Sequence, residues 1–161
     1  MSVDRIALPG MTGKLWLCGR LDIAPDPEAT LAWADGATTV VCLNPVDELE
    51  VRFPTYVEWL KANRGGRALW FPIRNFDAPS AETALPFLRI VATRLEQGDG
   101  VVMHCAAGQG RAGTIAVCVL MLLGASKREA LTTVASHRAF AGPGEYSQQQ
   151  LVNAVAAAVA R

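Results

Sequence analysis

The chain has 161 residues, 51% hydrophobic and 19% charged, which suits one buried core and excludes a disordered, solvated polypeptide. Fifteen basic and fifteen acidic side chains cancel to a formal net charge of +0, so the strongly basic balance of a nucleic-acid binder or a polybasic membrane-surface protein is absent. In chain order, Leu15 to Cys18 and Thr38 to Leu43 are short β-favouring runs, closed by Gly19 and by Asn44-Pro45. Pro27 to Ala34 and Pro54 to Ala62 read as helices, and Ala68 to Ile73 as a third strand. In Ser80 to Gln97, Leu85, Leu88, Val91, Ala92 and Leu95 recur every three or four residues and give a helix one apolar face. Glu82 in its first turn and Gly98 beyond its end are start and stop signals, while Pro86 predicts a kink or a later start. Val101 to His104 is a fourth strand. Ala112 to Ala125, the longest apolar stretch, falls short of the ~20 residues that span a bilayer and reads as a buried helix. Beyond it the chain is helical throughout, with Ser126 to Glu129 and Ser147 to Gln150 fitting capping boxes.

Strands alternating with helices predict a single α/β domain over residues 1–161. Its mostly parallel central sheet of four to five strands is flanked by helices, and its C-terminal third is helical. Ligands of such sheets bind beyond the carboxyl ends of the strands. The four cysteines, at 18, 42, 105 and 118, form no CxxC pair, and there are only two histidines. Neither a zinc cluster nor a disulfide framework is expected, so no metal or other cofactor is assigned and a reducing cytoplasm is the expected compartment. Met1 to Gly10 carries Asp4, Arg5 and Pro9 where a secretory leader would be apolar. No nucleic-acid or membrane partner is expected.

The fourth strand meets the longest apolar helix through His104-Cys105-Ala106-Ala107-Gly108-Gln109-Gly110-Arg111-Ala112-Gly113-Thr114. A Gly-rich loop between a strand end and a helix N-terminus turns successive N–H groups inward as an anion nest, and the helix dipole adds positive potential. Gly108 and Gly110 permit the tight curvature. Arg111 offers a planar fork for two phosphate oxygens. Cys105 sits where that field favours the nucleophilic thiolate. A cysteine over a phosphate cradle points to phosphoryl transfer to sulfur followed by hydrolysis. Cys18, Cys42 and Cys118 lie in apolar runs and read as core, and His137 as a helix-end residue.

The segment resembles the signature of the protein tyrosine phosphatases, H-C-x-x-G-x-x-R followed by a small residue, Gly and Thr. The chain's length makes the resemblance closest to the compact dual-specificity and atypical members, from Leu15 to the final helix. The resemblance implies that Cys105 is the nucleophile, that Ala106, Ala107, Gly108, Gln109, Gly110 and Arg111 bind phosphate, and that His104 orients the loop. It also implies a general acid on a loop after another strand, which Phe71 to Pro79 matches with a shifted register. Asn75 holds the usual aspartate position and Asp77 lies two residues later. Asp77 is either the acid on a re-shaped loop or a charge at the start of the next helix. Ala112 stands where many members have a serine or threonine. Gln148, Gln149 or Gln150 is the candidate to position water, and Trp70, Phe76 and Tyr146 are candidates for an aromatic rim. Uncharged Ala106, Ala107 and Gln109 argue for a singly phosphorylated substrate, a phosphotyrosine or phosphoserine/threonine protein. Alternatives are a catalytically weak phosphate-binding module and a phosphatase of small non-protein phosphomonoesters. A rhodanese- or arsenate-reductase-type cysteine loop is disfavoured by His104 and by Gly108 to Arg111.

Overall fold

A computed structural model describes residues 2–160. Its strands are β1 (Asp4–Ile6), β2 (Lys14–Gly19), β3 (Thr39–Cys42), β4 (Ala68–Trp70) and β5 (Gly100–Cys105). Its helices are α1 (Arg20–Ile23), α2 (Pro27–Trp33), α3 (Pro54–Ala62), α4 (Ala81–Glu96), α5 (Gly110–Leu122), α6 (Lys127–His137) and α7 (Tyr146–Val159), with a 3-10 turn at Val46–Glu48. The sheet order is β1-β2-β5-β3-β4, with β1 antiparallel to β2 and every other pair parallel.

Alternation along each strand divides the core. Leu15, Leu17, Val41, Val101 and Met103 face α4 to α7, whereas Trp16, Cys18, Val40, Cys42 and Val102 face α2 and α3. A sheet buried on both faces explains why its strands read as continuous apolar runs. β5 lies in the middle, its backbone paired on both sides, and delivers Cys105 to the carboxyl end of the sheet.

The expected α/β architecture with a helical C-terminal third is what the chain forms, and four local readings are corrected. β1 was not marked by any apolar run, because two of its three residues are charged and it pairs on one side only. The strand read as Ala68 to Ile73 ends at Trp70, although the amides of Phe71 and Ile73 still reach the carbonyls of Cys42 and Leu43 at 2.9 Å each. Pro86 does not delay the start of α4, which runs from Ala81 to Glu96. Ser80 caps the helix at Thr83 N, and Pro86 lies on the exposed face in the second turn. The last helix starts at Tyr146, which puts Ser147 inside its first turn. The side chain that closes this terminus is Gln148, whose Oε1 accepts the N–H groups of Gly144 at 3.0 Å and Glu145 at 3.1 Å.

Candidate active site

The loop between β5 and α5 has every carbonyl held from outside. Ala106 O accepts Arg20 N at 3.1 Å, and Gln109 O accepts Gly113 N at 3.0 Å and Gly142 N at 3.1 Å. Ala107 O and Gly108 O accept Nη2 and Nε of Arg138, each at 2.8 Å. Because a peptide is planar and trans, carbonyls turned outward turn the N–H groups of residues 107–110 toward the loop interior. Gly108 has φ +74, and a Cβ there would strike the Cys18 carbonyl, so only glycine lets the loop seat against β2. The result is a ring of inward donors at the N-terminus of a buried helix, an arrangement whose geometry and potential suit an anion.

Cys105 is buried at the base of this ring, and its Sγ accepts Ala112 N at 3.5 Å. The donor is the amide of the alanine that stands where many members carry a hydroxyl; the Thr114 hydroxyl turns back to Gly110 O at 2.6 Å, within its own helix. Arg111 is also buried. Nη1 and Nη2 each contact one oxygen of Glu48 at 2.9 Å, and Nη1 also donates to Ile73 O at 2.8 Å. This two-point pairing fixes the plane of the guanidinium beside the loop. Burial opposes ionisation of Glu48, but hydrogen bonds from Arg111 and Asn44 outweigh it and hold the carboxyl below its ordinary range. Arg20, whose side chain is partly exposed, adds charge 3.9 Å from the same carboxylate.

Below the loop, His104 is fully buried. Burial pushes its imidazole down to about 4 and the nearby Arg111 and Arg20 charges add to this, against the carbonyl of Cys105. The neutral ring donates from Nδ1 to that acceptor-only carbonyl at 3.3 Å, so Nε2 accepts the Tyr56 hydroxyl at 2.6 Å. Burial likewise raises Tyr56 well above the phenolic range, which keeps it a donor. His104 thus works as a brace at the end of β5. Cys18, Cys42 and Cys118 are buried in the core, as expected, and burial holds all three as thiols, the latter two pushed up to about 12.

Above Cys105 opens a pocket of about 340 Å³ lined by the loop, Arg111, Asn75, Phe76, Phe140, the Gly142 to Glu145 turn and Gln148. Asn75 faces it, and Asp77 does not. The Asp77 side chain is exposed, its Oδ1 accepting Ala78 N at 2.8 Å, while Gln148 Nε2 approaches the Asp77 carbonyl at 3.5 Å. Of the three glutamines, Gln148 is the one at the pocket; Gln150 bonds the Tyr146 hydroxyl on the surface. The aromatic rim is Phe76 and Phe140, 69% and 88% exposed, each with φ +63. Trp70 instead donates to Asn44 O at 2.8 Å, and Tyr146 does not line the pocket. Asp26 caps α2 and Asp22 accepts Ser2 N. His137 bonds Thr133 O at the end of α6.

Sequence reasoning missed Glu48, Arg138 and Phe140. Glu48 and Arg138 lie 63 residues before and 30 residues after the groups they hold, and read locally as surface charges. Phe140 sits in a turn whose backbone sign no local pattern announces.

A protein-family model described as PTP-SAK, the Swiss Army Knife protein DSP-PTPase phosphatase domain, matches residues 24–157. Among solved structures, a mutant form of Tk-PTP is 30% identical at TM-score 0.72, covering 97% of this chain and 96% of that one. Kinase associated phosphatase with its catalytic-site cysteine substituted by serine superposes at TM-score 0.78 with 17% identity, covering 99% and 96%. PTPMT1 in complex with PI(5)P gives 0.70 with 18% identity, covering 91% and 92%. A comparison with curated proteins gives no match.

Proposed function

The chain belongs to the dual-specificity type of the protein tyrosine phosphatase superfamily, and from that premise we propose that it hydrolyses phosphotyrosine monoesters, with phosphoserine/threonine as secondary substrates, through a Cys105 phosphoenzyme. The observation that carries this reading is the ring of inward N–H groups over Cys105, closed by an Arg111 whose plane Glu48 fixes. Residues 106–111 and the Nε–Nη2 edge of Arg111, the edge opposite the Glu48 pairing, hold the phosphate oxygens, and Sγ attacks phosphorus. The S–P bond forms as the ester P–O bond breaks, and the leaving oxygen takes a proton from Asp77 when the Asn75 to Asp77 turn closes over the bound substrate. Water then attacks phosphorus, guided by the Gln148 amide and giving a proton to the Asp77 carboxylate; the P–S bond breaks, which releases inorganic phosphate and the thiolate and restores the acid.

Two observations favour an aryl ester. Arg111 is the cation among the described pocket residues, so the pocket offers charge for one phosphate and little for a multiply phosphorylated headgroup. Phe76 and Phe140 flank the mouth in a left-handed conformation that costs a bulky residue ~1–3 kcal/mol, with large apolar surfaces left in water. PTPMT1 was crystallised with PI(5)P, which makes a lipid phosphomonoester the alternative substrate class. Asn75 at the pocket and Asp77 away from it favour a second reading, a phosphate-binding module with little turnover.

Steady-state hydrolysis of p-nitrophenyl phosphate and of phosphotyrosine and phosphoserine peptides separates these readings. The enzyme is expected to turn over all three with the tyrosine peptide preferred over serine, and Cys105→Ser to lose turnover while still binding orthovanadate. Vanadate binding by the wild type without hydrolysis would establish the module instead. A Cys105→Ser variant as active as wild type would overturn the covalent mechanism.

A further inference from the structure

Resting on the phosphatase reading, we infer that Arg138 is the positioning residue that sets the phosphate loop, and that Asp4 of the N-terminal strand holds it in place to do so. Arg138 is the residue after α6, and its side chain is 8% exposed. A guanidinium taken out of water is costly unless its donors are satisfied. Nε and Nη2 go to two consecutive loop carbonyls, Gly108 O and Ala107 O, at 2.8 Å each. Nη1 is shared among Asp4 Oδ2 at 2.8 Å, Ser2 O at 3.0 Å and Leu17 O at 3.4 Å.

The division of the fork is what matters. Fixing the carbonyls of residues 107 and 108 outward fixes the N–H groups of Gly108 and Gln109 inward, because each pair belongs to one planar peptide. Those two amides form the middle of the anion ring. The loop cannot be counted on to keep them there unaided: Gly108 takes φ +74, and glycine adopts either sign of φ with little preference. An external clamp selects one conformation, and Arg138 is the group that grips both carbonyls. Asp4 sets the clamp's angle. By occupying Nη1 it leaves the other edge of the planar fork facing the loop, and it offsets a charge that would otherwise draw an incoming oxyanion behind the loop. The short edge strand β1, at the far end of the chain from α6, is thereby linked to the catalytic loop.

The test measures orthovanadate and inorganic phosphate binding by calorimetry, and kcat/KM on p-nitrophenyl phosphate, for the wild type, Arg138→Lys and Asp4→Asn, with thermal unfolding alongside. Lysine cannot hold two carbonyls and a carboxylate in one plane. Arg138→Lys should therefore lose about 10- to 10³-fold in kcat/KM and in vanadate affinity, the scale set by removing oxyanion donors. Vanadate should suffer more than phosphate, because it engages the ring as a transition-state analogue does. Asp4→Asn should lose less in the same direction with Tm nearly unchanged, since Asp4 is 41% exposed and its pairing adds little to stability. Amide signals of Gly108 and Gln109 should lose their response to phosphate in step. Folded variants with wild-type vanadate affinity and kcat/KM, whatever their Tm, would overturn the inference. If Arg138→Lys does not fold, Asp4→Asn decides alone, an unchanged affinity counting against. A wild type that binds vanadate without turnover removes the phosphatase reading yet leaves the binding arm decisive. A wild type that binds no oxyanion removes both.

Discussion

Asn75 lines the pocket without a proton to give, and Asp77 carries a carboxyl that its own turn directs at Ala78 N. The sequence shows the shift in register but not its consequence, since which of two nearby residues faces a pocket depends on the sign of φ at Phe76 between them. If closure of this turn brings Asp77 to the leaving oxygen, Asp77→Asn should cost about 10²–10⁴-fold on a phenyl-phosphate-like ester, the worth of a positioned acid. The loss should be smaller for p-nitrophenyl phosphate, whose leaving group needs less protonation. Adding Asn75→Asp to that variant should restore part of the rate, because it places a carboxyl directly at the pocket. An Asp77→Asn enzyme with an undiminished rate on the poor leaving group would remove Asp77 from the mechanism.

The element that carries the site is α5, buried along its length from Arg111 to Met121. It was legible as the longest apolar run, and the loop before it as a signature, because both are local patterns. What braces them was not. The turn at residues 141–142 packs so tightly on α5 that a Cβ at Gly113 would strike the Gly142 amide, which is the donor to Gln109 O. Gly113→Ala should therefore push that turn away and break a loop contact. The expected cost is about 1–3 kcal/mol, as for other overpacked sites, read as a lower urea midpoint at constant m. A parallel fall in kcat/KM would follow from loosening Gln109 and the neighbouring Gln148. A variant with unchanged midpoint and activity would show that the turn yields freely. Glu48 and Arg138 escape sequence reading for the same reason, since each acts across a fold that only the assembled sheet creates.

Across the whole molecule, the sheet buries a neutral histidine near the Arg111 and Arg20 charges, which makes the fold acid-sensitive. In the unfolded chain His104 takes a proton below about pH 6.5, whereas in the fold it resists down to about 4. The unfolded state binds more protons across that window, so stability is full above it and falls with pH, by at most ~1.4 kcal/mol per unit from this group. Glu48, held below its ordinary range, adds a loss at lower pH in the same direction. Urea midpoints measured from pH 8 to 4 should be level above 7 and decline between 6.5 and 4, and His104→Asn should flatten that decline while lowering the plateau. A decline unchanged in the variant would assign it to other groups. The α/β architecture was readable from alternating runs and caps, and the pocket's floor from its signature. The pocket's walls come from turns at Phe76 and Phe140 and from partners distant in sequence. The covalent step is examined by quenching the enzyme and a phosphotyrosine peptide in denaturant at neutral to alkaline pH, where S-phosphocysteine survives, followed by mass spectrometry of the peptide carrying Cys105. One phosphoryl group is expected on Cys105 during turnover and none on the Cys105→Ser enzyme; turnover with Cys105 unmodified at every quench time would rule out the phosphoenzyme.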